Sequence, residues 1–144
     1  MKKFLTHFTR VLLFTALSLV ILSARVDDLP EDVAAHAEKI TGTYQVTDQK
    51  QTSASTSYYE ITIARSSANM AVVELHNFGN VMYVPVKAVV QGNNFYIQPQ
   101  TFKGKTISIL LSGSGTLTAA GLHFSYTINT GKTQLTHQCE ATRK

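Results

Sequence analysis

From about residue 41 to the C-terminus, short runs of β-forming residues alternate with Gly/Asn-type turns, and no helix-length pattern lies between them. This spacing constrains the fold more than any other feature. Parallel neighbours need long crossovers, whereas strands joined by hairpins pair antiparallel. A meander of this length closes into a barrel or folds into a sandwich. Eight or nine runs, each apolar on one face, favour the barrel, which also removes exposed edges. The expected fold is all-β: an antiparallel up-and-down meander of eight to nine strands over residues 41–144.

Alternation assigns the faces. Leu122, Phe124, Tyr126 and Ile128 share one side of the clearest strand, against His123, Ser125, Thr127 and Asn129. Ile107, Ile109 and Leu111 form a second apolar row, Val84, Val86 and Ala88 a third, and Ala71, Val73 and Leu75 a fourth. Leu135, His137 and Cys139 point together in the last strand. Asp48 to Thr56 reads as a polar Ser/Thr-rich loop, and Phe78-Gly79-Asn80 as a tight turn. Pro85 argues for an edge or bulge, and Ser112-Gly113-Ser114-Gly115 predicts a bulge or bend within a strand.

The N-terminal segment reads as an address. Met1-Lys2-Lys3 and Arg10 precede the uncharged apolar run Val11–Leu22, and Leu22-Ser23-Ala24 resembles a small-residue cleavage site. This is the layout of a secretory signal peptide over residues 1–24, so the mature chain is expected in the periplasm or secreted. The competing reading is an uncleaved anchor, but a spanning helix needs roughly 20 apolar residues. Residues 25–40 then carry a short helix, with Asp28, Pro30 and Glu31 at its start and Val33, Ala37 and Ile40 as its apolar stripe. Lys2, Lys3 and Arg10 leave with the leader, which reduces 13 basic residues to ten against nine acids. Net charge then offers no case for a nucleic-acid partner. An outer-membrane barrel also alternates, but its strands are longer and apolar outward.

Chemistry-bearing residues are sparse. Cys139 is the sole cysteine, so no internal disulfide forms, and a small buried hydrophobe is its expected role. His137 and Cys139 make an H-x-C pair, which supplies only two of the ligands zinc needs. The Gly-Ser-Gly segment has neither the strand-to-helix setting of a nucleophile elbow nor that of a phosphate loop. Glu60 and Glu74 fall on outward parity. A hydrolase or metal protein would need His76, His137 and acids to cluster in space. The expectation is no enzyme, no cofactor and no metal.

Gly42-Thr43-Tyr44 resembles the G-x-W start of lipocalin-like (calycin-type) barrels, with Tyr44 in place of Trp. In that family a basic residue near the last strand packs on the aromatic ring, a role the resemblance gives to Arg143 or Lys144. The GTY start, the V-K-A-V-V-x-G-N-N and G-S-G-T-L segments, F-S-Y-T-I-N and a late C-x-A also resemble small exported β domains of uncharacterised function common in Bacteroidota. The resemblance covers about residues 41–144 and implies fold and export rather than a reaction.

Two functions follow as expectations. In the first, the barrel binds a small apolar or amphipathic ligand in a lumen lined by Tyr59, Ile61, Ile63, Val84, Val86, Phe95, Ile97, Ile109, Leu122, Phe124 and Tyr126. Eight-stranded barrels sit near the size at which side chains either fill the interior or enclose one small ligand. In the second, the barrel is a rigid scaffold for protein or glycan partners. Its binding groups would be the outward aromatics Tyr58, Tyr83 and Tyr96, or the Asp48–Thr56 loop.

Overall fold

The expected turns separate eight strands. The computed structural model describes residues 31–144, so the proposed leader and the first residues of the proposed helix lie outside the described residues. A helix, α1 (Glu31–Ile40), precedes β1 (Gly42–Lys50), β2 (Thr56–Arg65), β3 (Val72–His76) and β4 (Val86–Gln91). Then come β5 (Asn94–Lys103), β6 (Ser108–Thr118), β7 (Gly121–Asn129) and β8 (Gln134–Arg143). Each strand pairs antiparallel with the next, and β8 returns to β1 to close the barrel. Among the described residues, no helix is long and apolar enough to cross a membrane.

Alternation produces the core. Tyr44 and Val46 on β1, Ile61 and Ile63 on β2, Phe95 on β5, Leu111 on β6 and Leu122 on β7 all turn inward and are almost fully buried. Each such side chain contributes about 1.5–3 kcal/mol by leaving water. The apolar face is therefore the inner one, the reverse of a membrane-spanning barrel. Ala37 and Ile40 from α1 join this core.

One end is locked by Arg143. Its guanidinium lies over the Tyr44 ring, 5.3 Å from the centroid, and donates to the Tyr44 hydroxyl and to the carbonyls of Lys39 and Thr41. Tyr44 in turn donates to the carbonyl of Ile40 at 2.9 Å. The contact that the lipocalin-like start assigns to Arg143 or Lys144 is thus made by Arg143, and it also caps the helix C-terminus. Lys144 pairs instead with Glu60.

Three local expectations are corrected. The Gly-Ser-Gly segment carries no bulge, because β6 runs through it and pairs in register with β7 from Leu110↔Asn129 to Thr118↔Gly121. The bulge lies across from it in β5, where the register slips between Ile97 and Gln100. Pro99 falls there, because it has no N–H to give a ladder. Asp48 belongs to β1 rather than to a loop, since pairing with β8 continues to Lys50↔His137. Pro85 stops the ladder for the same reason as Pro99, so β4 begins at Val86 and Val84 is left outside it, 56% exposed.

The ladders are unequal. Those joining β5, β6, β7, β8, β1 and β2 run nearly the full strand length. The β4–β5 ladder covers only Val89–Gln91 with Asn94–Tyr96, and β3 meets β2 only from Thr62↔His76 to Arg65↔Val73. Side-chain amides supply the missing rungs. Gln100 bonds both the N–H and the carbonyl of Lys87, at 3.0 and 2.7 Å. Asn77, held in the left-handed region at φ 58°, donates to the carbonyl of Glu60. Asn77 leads into a short 3-10 turn (Phe78–Asn80) that drives Phe78 into the core against Tyr126.

Candidate functional site

The six strands with long ladders carry a groove of about 790 Å³ on their outer face. Its outward side chains fall in two cross-strand rows. The first runs Tyr96, Ser114, Ser125, Gln138, Gln49, Thr56, and the second runs Asn94, Thr116, His123, Glu140, Thr47, Tyr58. The rung between them, Gly115, Phe124 and Cys139, forms the floor. Strand periodicity explains the pattern: the same strands that send Tyr59, Phe124, Tyr126 and Cys139 inward present the intervening polar residues outward.

Gly115 is required by its close approach to the core. A methyl group there would come within 2.4 Å of both the Phe95 ring and Cβ of Phe124. Those rings take the space a side chain would occupy, so β6 sits close against the core beneath the groove.

The lining is hydroxyl- and amide-rich. It includes no Lys or Arg, and its one carboxylate, Glu140, has His123 Nδ1 at 3.8 Å. Thr116 donates to Asn94 Oδ1 at 2.8 Å. Tyr58 and Tyr96 stand at opposite ends of the two rows, 71% and 39% exposed. Such a surface offers many donors and acceptors, two aromatic faces and little charge.

Directly beneath lies a buried polar cluster. Asp48, 4% exposed, is the buried polar side chain among the described residues. Its Oδ2 accepts hydrogen bonds from the Tyr59 and Tyr126 hydroxyls at 3.0 and 2.6 Å. His137 Nδ1 lies 2.7 Å from Oδ1. The His137 ring stacks on Tyr126 with centroids 4.6 Å apart. Burial raises the pKa of Tyr59, Tyr126 and Cys139 well above their ordinary values. For Tyr126 the hydrogen bond to Asp48 adds to this, and for Cys139 the Asp48 charge does. Every member of the cluster adjoins a groove residue in sequence: Thr47 and Gln49 flank Asp48, Tyr58 precedes Tyr59, Ser125 precedes Tyr126, and Gln138 separates His137 from Cys139.

The candidate lumen residues mostly meet in one place. Tyr59, Ile61, Ile63, Val86, Phe95, Ile97, Leu122, Phe124 and Tyr126 all lie in the core, none more than 6% exposed. Ile109 is half-buried against the core, and Val84 is outside. Of the outward aromatics, Tyr58 and Tyr96 reach the groove, while Tyr83 projects fully from the segment ahead of β4. His137 meets an acid, but His76 does not join it; His76 lies on the surface, 4.0 Å from Glu74. Among the described residues, no group of three or more His, Cys, Asp and Glu side chains could hold a metal ion.

Sequence reasoning missed Asp48 and the two rows. The signal for Asp48 was the Tyr44-Val46-Asp48 alternation, which points it inward once β1 is extended. No family model, no curated protein and no solved structure matches the chain.

Proposed function

We propose that this barrel is a rigid, non-catalytic binding module whose outer groove takes a hydroxyl-rich glycan. The observation that carries this reading is the composition of the groove. Hydroxyls and amides make up most of its two rows, Tyr58 and Tyr96 flank it, and it has no Lys or Arg. Nucleic acid is disfavoured, because phosphate binding rests on basic side chains. An apolar peptide would leave the hydroxyls and amides desolvated and unpaired. A sugar offers hydroxyls to the polar rows and an apolar ring face to each tyrosine, whose amphipathic character suits both. The groove volume is also within the usual range for ligand sites, roughly 300–1,000 Å³.

The test is binding to immobilised neutral polysaccharides. Tyr58→Ser and Tyr96→Ser should each weaken retention by about tenfold, as loss of an anchoring aromatic does. Tyr83→Ser, outside the groove, should leave it unchanged. Retention that depends on Tyr83 but not on Tyr58 or Tyr96 would refute the proposal.

One observation favours a second reading, an apolar or amphipathic ligand at the barrel end where β5 meets β6 through Phe102 and Ile109. Phe102, Ile109 and Ile128 are only partly buried there, against the core. Deeper entry would have to displace packed side chains. Displacement of an apolar fluorescent probe by Ile109→Glu would support this reading. The proposal also places the module in the periplasm or outside the cell, on the strength of Met1–Ala24. The mass of the exported protein tests that.

A further inference from the structure

We infer that the groove takes a linear, uncharged polyhydroxylated chain laid across the strands, with Tyr96 and Tyr58 as platforms at its two ends. This rests on the glycan reading above and specifies the shape and charge of the ligand.

The argument begins with the two rows. Both cross the same six strands, so the site runs perpendicular to the chain direction rather than along one hairpin. With strands about 4.8 Å apart, six of them cover roughly 24 Å of path round the curved barrel wall. A single sugar ring would use a small part of that length. The profile of the side chains points the same way. Ser114, Ser125, Thr47 and Thr116 are short, whereas the tyrosines close the ends, one from each row. The result is a polar strip with one tyrosine at each end, Tyr96 on β5 and Tyr58 on β2. Within the first row Gln138 and Gln49 lie side by side on β8 and β1, and their amides can both donate to and accept from hydroxyls. Charge narrows the class further. Glu140 is 78% exposed at its side chain, and the lining supplies no Lys or Arg to receive a second carboxylate. An acidic chain would meet the Glu140 carboxylate and find no Lys or Arg in the lining to offset its own charges.

Calorimetric titration of the protein separates the possibilities. The probes are neutral gluco- and manno-oligosaccharides from the disaccharide to the octasaccharide, with oligogalacturonates of matched length. Affinity should rise with length and level off once the chain spans both tyrosines. Tyr58→Ser and Tyr96→Ser should each lower affinity for the long oligomers by about tenfold. Each should move the plateau to shorter lengths. Circular dichroism establishes that the variants remain folded. Oligogalacturonates should bind at least tenfold more weakly than neutral oligomers. A disaccharide that binds as tightly as the octasaccharide would overturn the linear-chain inference while leaving the glycan reading intact. Preference for the acidic series would overturn the charge assignment alone. No binding by any oligomer would remove both the inference and the reading beneath it.

Discussion

Asp48 and His137, diagonal neighbours on the paired strands β1 and β8, meet inside the barrel with Oδ1 and Nδ1 2.7 Å apart. With Tyr59 and Tyr126 on the other carboxylate oxygen, one buried acid ties together β1, β2, β7 and β8. Removing it strands two hydroxyls and an imidazole. Asp48→Ala should therefore cost about 3 kcal/mol of stability, near the lower end of the range for breaking a buried pair, because His137 keeps some contact with water. Asp48→Asn retains an acceptor for the tyrosines and should cost about half as much. Urea unfolding of the two variants beside the parent gives both numbers, and equal costs would show that the charge, not the acceptor, is what matters.

Stability should fall in alkali. Burial keeps Tyr59, Tyr126 and Cys139 protonated well above their ordinary values of 10.0, 10.0 and 9.0. In the unfolded chain these groups ionise at those ordinary values. Above about pH 9 the unfolded state therefore binds fewer protons than the folded one, and the slope of stability against pH is negative. The contribution is complete below pH 9 and is lost progressively above it, by up to about 1.4 kcal/mol per pH unit for each group. Urea midpoints from pH 7 to pH 11, with tyrosinate absorbance as a second signal, would reveal it. A flat profile would contradict the burial of these groups.

Cys139 should be inert while the protein is folded. It is 3% exposed, and burial raises its pKa, so the reactive thiolate is scarce. Iodoacetamide at pH 8 should leave it unlabelled until denaturant unfolds the barrel. Rapid labelling of the native protein would place the thiol in contact with solvent.

Gly115→Ala should destabilise the barrel by about 1–3 kcal/mol, the usual cost of forcing volume into a filled core. The new methyl meets Cβ of Phe124, which cannot swing aside as a ring end can. Phe95→Leu in the same chain should recover part of the loss, because the other clash is with the Phe95 ring. Thermal unfolding of the single and double variants measures both effects.

Arg143→Lys should cost about 1 kcal/mol despite conserving the charge. The guanidinium lies over Tyr44 and reaches two carbonyls at the helix end at once, which an ammonium does not do. Faster proteolysis within Glu31–Ile40 in this variant would report the loosened helix.

The barrel was legible because its signals are local: turn residues and period-two alternation recur in nearly every strand. Most of the core followed from the same alternation, including the inward pairing of His137 with Cys139. Val84 failed because alternation continues through Pro85 while the hydrogen-bond ladder cannot. Asp48 failed because a polar residue before a Ser/Thr-rich stretch resembles the start of a loop; only its pairing with β8 shows otherwise. The groove could not be read at all. Its rows join residues as distant in sequence as Thr47 and Glu140, and which residues align across strands depends on register, which Gly115 and the slip at Ile97 help to set. Tyr58 and Tyr96 were identifiable as outward aromatics, but not as two ends of one groove.

The short ladders around β3 and β4 divide the barrel wall into a firmly laddered side, which carries the groove, and a lightly laddered one. Where Asn77 and Gln100 substitute for backbone rungs, few main-chain bonds have to break for the sheet to part. Fluctuation concentrated there would leave the groove strands in register. The turn between β2 and β3, Ser66–Ala71, is consequently the place where the chain can be lengthened. A reporter or a second domain spliced into it would sit at the barrel end beside α1, away from Thr56 and Tyr58 at the other end of β2.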